Sequence, residues 1–315
     1  GQLPLLIVYA QRQQEAAEDG RASTGWEAML ESVISAGLAI VGTWPIHGTG
    51  ATRQRAQASN ALATYVLLVC RSREASAGVC TRREFQQTLR AQLPPALALL
   101  QSASIAPVDL AQAAIGPGMA VFSQYSRVIE PSGSPMSVRS ALSMINGLLD
   151  ETLAEQEGDF DGETRWAVTW FEQVGMNPGD YGMADALSKA KNSALSGLVD
   201  AGVIESRGGH VRLLGRDELS INWNPGPHRR PSVWEVTQHL VRSLEEGGEE
   251  EAARELKVVG RNGSSARDLA YRLYSVCERK GWAKEAFAYN ALVVAWPEIA
   301  RPAAKENAGQ STLSL

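Results

Sequence analysis

The sequence predicts an α/β segment over about residues 1–74, followed by mainly α-helical domains that include a winged-helix-like unit. Three observations predict it. The opening holds three short apolar runs rich in β-branched residues, Leu5–Tyr9, Ala39–Trp44 and Tyr65–Cys70. Each is bounded by Gly, Pro or polar clusters, which favours buried strands over helices. Between the first two, Trp26, Met29, Leu30, Val33 and Ile34 recur at helical spacing, and Gly37 stands where a helix stops. Later, three helical stretches precede two strand-like runs, Val203–Ser206 and His210–Leu214, around Arg207-Gly208-Gly209. Three helices and a hairpin is the winged-helix order.

Leu5 to Tyr9 is apolar on both alternating faces, so it wants cover above and below, as in an α/β sheet. Pro45 is expected to close the second strand, because proline has no N–H for a ladder. The link from Ile46 to Asn60 is too polar for a crossover helix with a core face. The second and third strands are therefore expected to form an antiparallel hairpin with a long loop. A strand–helix–strand unit ending in such a hairpin is how a Rossmann-like methyltransferase sheet finishes.

Particular residues sharpen that analogy. Thr43-Trp44-Pro45, the basic loop after it, Asn60-Ala61-Leu62-Ala63 and Leu67–Arg73 resemble the end of the catalytic domain in bacterial adenine-specific DNA methylases described as containing a Zn-ribbon. Ile105–Ser123, Trp170–Gly175, Leu198–Ser206, Val233–Leu240 and Ala270–Ala283 resemble the C-terminal region of that family. The similarity runs from about residue 3 to residue 299. It implies an S-adenosylmethionine (SAM)-dependent enzyme acting on adenine N6 in DNA, within a modification or phage-defence system. The implied partners are DNA and subunits of such a complex. The family's D-P-P-Y motif and its acidic, glycine-rich SAM loop are absent from this sequence, so no catalytic or cofactor-binding residue carries over. The expectation is a C-terminal portion of a longer protein, with SAM bound by the whole protein and not by this chain alone. The opening at Gly1, directly into a core strand, fits truncation better than targeting.

Composition limits the classes. Hydrophobic content of 44% and charge of 21% are those of ordinary globular protein, and a net charge of −5 gives no overall field for nucleic acid. Cys70, Cys80 and Cys277 form no C-x-x-C pair, so no zinc ribbon and no metal site is expected, and reduced thiols fit a cytoplasmic protein. No apolar run approaches the roughly 20 residues of a membrane span.

Five segments are expected: the end of a catalytic domain (1–74), a helical domain (75–160), the winged-helix-like domain (161–220), a C-terminal helical domain (221–300) and a disordered tail (301–315). Thr81 and Glu84 form a capping box at the start of a helix that Pro94-Pro95 should interrupt. Pro107–Ala114 should be a short helix, Ile115–Met119 a turn, and Met119–Val128 another helix. Ser134-Pro135 should open the next one, with Val138, Leu142, Ile145, Leu148 and Leu149 as its apolar stripe. Residues 175–182 should be a turn. Ser232 should cap a helix that Gly247-Gly248 breaks.

The candidate DNA-contacting residues fall in two places. Arg53 and Arg55 lie in the glycine-containing hairpin loop with no nearby acid, and Asn60 opens the last strand, either capping its turn or facing the ligand crevice. Lys189, Lys191, Arg207 and Arg212 lie in the winged-helix-like stretch. From Tyr181 to Arg216 there are five basic residues against three acids, a local +2 in a chain of −5. The alternative is a non-catalytic winged-helix protein that binds DNA or a partner, since many such units only mediate protein contacts.

Overall fold

A computed structural model describes residues 3–10, 24–46, 65–221, 223, 230–260 and 263–309. The chain is mostly helical with small sheets, and it divides into two compact units, 1–152 and 153–315. The expected boundaries after residues 74 and 220 fall inside these units.

The first unit opens with β1 (Leu5–Ala10), α1 (Thr24–Ser35), β2 (Leu38–Ile46) and β3 (Tyr65–Ser72). Their sheet has the order β1-β3-β2, and β3 is antiparallel to both neighbours. β1 and β2 therefore run in the same direction, joined through α1. α1 buries Trp26, Leu30 and Val33 and gives way at Gly37, whose φ of +80° suits glycine. Pro45 does not close β2. The strand continues to Ile46 with Pro45 opposite Val66, because β2 is at the sheet margin and the missing N–H costs no ladder bond there.

β4 (Val79–Thr81) leads into α2 (Arg82–Ser102), and the Thr81–Glu84 capping box forms in both directions. Pro94 and Pro95 do not interrupt this helix. Interior proline costs about 3 kcal/mol or more, but Phe85, Leu89, Leu93 and Leu97 are all buried, at roughly 1.5–3 kcal/mol each, and hold both halves to one core.

The expected turn at 115–119 is likewise absent: α3 runs unbroken from Pro107 to Ser123 with Gly116-Pro117-Gly118 inside it. Close packing explains both glycines. A Cβ on Gly116 would sit 2.4 Å from the Thr43 backbone nitrogen, and one on Gly118 would sit 2.6 Å from Ile145. Pro117 cannot donate to the carbonyl of Ala113, four residues back. The buried Thr43 hydroxyl of β2 donates there instead, shared between Gln112 O at 3.0 Å and Ala113 O at 3.1 Å. At the far end of α3 the Ile40 N–H donates to Ser123 Oγ at 2.9 Å, beside a bulge in β2. Arg73 donates to Ser123 O (2.9 Å) and Ile34 O (2.8 Å), closing the C-termini of α3 and α1 together.

The chain then forms β5 (Arg127–Ile129), parallel to β4, where helix was expected to persist to Val128. α4 (Val138–Glu155) is capped by Ser137, not Ser134; Ser137 Oγ accepts from the Ser140 N–H at 3.1 Å. Pro135 is held instead in a bridge to Ile129. The stripe from Val138 to Leu149 is buried as its spacing requires.

After a 3-10 turn (Gln156–Asp159), the second unit holds α5 (Gly162–Val174), β6 (Gly179–Asp180), α6 (Tyr181–Lys191), α7 (Leu195–Asp200), β7 (Ile204–Arg207) and β8 (His210–Leu213). The sheet order is β6-β8-β7. The expected turn at 175–182 thus contains a short strand, and α6 begins two residues early. Three long helices follow: α8 (Val233–Val259), α9 (Gly263–Lys280) and α10 (Ala283–Gly309). α8 turns sharply at Gly248, φ +69°, so that Glu255 accepts a hydrogen bond from Ser243 and lies 3.7 Å from His239. α10 continues to Gly309, where a disordered tail from 301 was expected; residues 310–315 lie outside the described residues.

Aromatic packing and caps weld this unit. Phe171 of α5 meets the edges of Trp234 and Trp282 at 5.7 and 5.0 Å. Asp161 accepts from Thr164 N at 2.7 Å, capping α5, and from Val233 N at 2.9 Å, at the start of α8. Thr164 Oγ1 donates to Asp161 and accepts from Trp234 N at 3.0 Å. Ser232 Oγ takes the Glu235 N–H, so one knot satisfies the first donors of two helices.

Candidate nucleic-acid interface

The candidate surface in the second unit is built on a short scaffold. Asp180 caps α6 by accepting from Met183 N at 3.1 Å, and Asn192, at φ +55°, ends it in the left-handed region. Gly208 and Gly209, at φ +60° and +79°, make the two-residue turn between β7 and β8. β8 is the central strand. Its core side carries the buried Val211 and Leu213, and its outer side carries His210 and Arg212.

The predicted cations do not share one fate. Lys189 donates to Asp185 at 2.7 Å, one helical turn back, and that hydrogen bond raises its pKa. Arg212 is held between two acids, with Nε on Glu205 at 2.9 Å and Nη1 and Nη2 on Glu218 at 2.6 and 2.7 Å. Arg216, which closed the basic count, is turned inward: it grips both Glu285 oxygens at 2.9 Å and lies 5.8 Å from the Tyr289 ring centre. Lys191 is half-buried and Arg207 is exposed at the turn, opposite His210; neither has a carboxylate partner among the described residues. The local excess of two positive charges thus resolves into two available cations. Arg53, Arg55 and Asn60 lie outside the described residues.

The Arg212 clamp has a measurable pH signature. Glu218 is drawn down to about 2, first by the Arg212 hydrogen bonds and then by the Gly215 N–H. A depressed carboxylate stabilises the fold above its unfolded value and loses that contribution as pH falls through its folded value. Arg212→Ala is therefore expected to cost roughly 0.5–1 kcal/mol at neutral pH, a figure discounted for solvent screening of a partly exposed pair. In urea melts the gap to wild type should close between pH 4.5 and about 2.

Among the described residues no group of three His, Cys, Asp or Glu could hold a metal ion. Cys70, Cys80 and Cys277 are buried and unpaired, and burial foremost pushes the Cys277 thiol up to about 12. The Gly-x-Gly of residues 116–118 lies inside α3 with both glycine faces filled by Thr43 and Ile145, so its backbone cannot cradle a cofactor.

Sequence reasoning missed Arg73, Asp161 and Arg216. Each is a polar anchor with a distant partner (Ile34, Val233 and Glu285, at 39, 72 and 69 residues), and only Asp161, two residues before a helical run, carried a local signal.

No helix among the described residues is long and apolar enough to cross a membrane. No curated protein and no solved structure matches the chain. Residues 161–314, a little under half of it, match the family model of a domain of unknown function, DUF8807. The match begins at Asp161, the residue that caps α5 and meets the start of α8.

Proposed function

We propose that this chain is the C-terminal portion of a SAM-dependent, adenine-specific DNA methyltransferase, with the catalytic centre outside residues 1–315. One observation carries the reading. The three opening strands lie together in the order β1-β3-β2, with the last strand in sequence placed in the middle and antiparallel to both others. That arrangement is what the end of a Rossmann-like methyltransferase sheet requires, and it joins the resemblance carried by Thr43–Pro45 and Leu67–Arg73. The sequence carries neither the family's D-P-P-Y motif nor its SAM loop, so no chemical step is assigned to this chain.

The test is genetic and calorimetric. The reading frame upstream of the Gly1 codon is expected to encode D-P-P-Y and a glycine-rich SAM loop. The chain alone is expected to show no SAM binding by calorimetry. A start codon at that point, or micromolar SAM affinity in this chain, overturns the proposal.

A second reading is a winged-helix unit that binds DNA or a partner without catalysis. It is supported by the run of a helix, a short strand, two helices and a hairpin, with β6 added beside β8. The cations decide between the two kinds of partner. If the hairpin touches DNA, Arg207→Ala and Lys191→Ala each weaken duplex binding several-fold and lower the salt slope by about one. Lys189→Ala, whose charge Asp185 already offsets, changes little. Gel shifts across a salt series read all three; unchanged binding by the Arg207 variant removes the hairpin from the DNA surface.

A further inference from the structure

One face of the β1-β3-β2 sheet exposes large apolar side chains. α1 and α3 both lie against the other face, where Tyr9 meets Trp26 at 5.2 Å and Thr43 meets α3. On the open face Leu6 is 57% exposed, Val8 62%, Trp44 52%, Ile46 39% and Tyr65 38%. Directly paired residues of antiparallel strands share a face. Val8 and Trp44 both stand opposite Leu67, and Ile46 stands opposite Tyr65, so these side chains form one surface. Its apolar area is on the order of 500 Å², at the upper end of what a monomer leaves uncovered. Residues 11–23 contain no large aliphatic or aromatic side chain and residues 47–64 contain only Leu62, so neither segment has the side chains for an apolar cover.

The same surface runs to the outer edge of β1, which has no partner among the described strands. Exposed strand edges are ordinarily blunted by lysine, proline or a bulge. Leu5-Leu6-Ile7-Val8-Tyr9-Ala10 has none of these and pairs with β3 without a register shift.

The occupant must meet both demands. A second copy paired edge to edge through β1 would leave the face bare, and a second copy packed face to face would leave the edge bare. A β-strand joined to an amphipathic helix satisfies both, by adding to the edge and lying across Val8 and Trp44. We infer that this surface docks such a strand–helix segment; resting on the proposed function, the segment belongs to the SAM-binding half of the enzyme.

The probe is the polypeptide encoded directly upstream of Gly1, expressed separately and mixed with the intact 1–315 chain. A one-to-one complex is expected by sedimentation, with the amides of residues 5–10 newly protected from hydrogen exchange. The double variant Val8→Thr, Trp44→Thr keeps strand-compatible residues and should weaken the complex roughly 30-fold or more. Val294→Thr, at an exposed position on α10, should not. Matching thermal melts of the variants alone establish that they fold. An upstream polypeptide that carries D-P-P-Y yet forms no complex overturns this inference while leaving the proposed function standing. An upstream frame without D-P-P-Y defeats the proposed function and this occupant with it. A dimer of the chain alone that the double variant dissociates overturns the inference in favour of a second copy.

Discussion

Gly116→Ala should destabilise the first unit by about 3 kcal/mol, near the top of the range for overpacking. The new methyl would fall 2.4 Å from the backbone nitrogen of Thr43 and 3.0 Å from the carbonyl carbon of Gly42. Those are backbone atoms of β2 and cannot rotate away, as the end of a flexible side chain could. Either α3 lifts from the sheet or β2 moves. Lifting α3 also breaks the Thr43 bond that satisfies the Ala113 carbonyl left by Pro117. Hydrogen exchange of residues 38–46 and 65–72 through a urea series isolates this unit. Gly147→Ala is the internal control: it lies in α4 with open space around its missing Cβ, so it should stabilise by up to about 1 kcal/mol through helix propensity alone. Two changes of identical chemistry should therefore have opposite signs.

Asp161→Ala should cost the second unit about 3 kcal/mol. A helix cap is ordinarily worth about 1 kcal/mol. Asp161 serves two helices, accepting from Thr164 N and Val233 N and holding the Thr164 hydroxyl that receives Trp234 N. Trp234 and Thr164 are buried, so the freed donors would not readily find water. Asp161→Asn, which keeps one acceptor oxygen, should recover about half of the loss. The emission of Trp166, Trp170 and Trp234 in urea follows the transition. A loss under 1 kcal/mol for the alanine variant would show that the two helix starts are satisfied in some other way.

The features legible in the sequence are local ones. The Thr81–Glu84 box, the Ser232 cap, the Gly37 stop and the turn at Gly248 depend on groups within a few residues, and all four appear. The buried stripe of α4 is a matter of period. Proline is where local propensity and the fold part most. Pro94-Pro95 and Gly116-Pro117-Gly118 read as breaks, yet each lies within a continuous helix. Local propensity carries the cost of an interior proline but not what offsets it: four buried side chains in one case, a threonine hydroxyl from a strand about 70 residues away in the other. Pro45 misled for a related reason, since its meaning depended on which strand lies outermost.

The candidate site was legible only in part. Counting charge from Tyr181 to Arg216 identified a basic stretch but not its internal neutralisation. The Lys189–Asp185 pair could have been read from its i,i+4 spacing. The Arg212–Glu205 pair needed the hairpin register, and Arg216–Glu285 needed the tertiary fold.

The placement of Pro45 has a consequence for how many molecules can join. On the outer side of β2 a proline lacks its donor, and the Ile40 N–H is already spent on Ser123. That flank is a poor acceptor of a further strand, while β1 has no second partner among the described strands. On the docking inference, growth by strand addition is one-sided: a join through β1 leaves the β2 flank, poor in free donors, as the new margin.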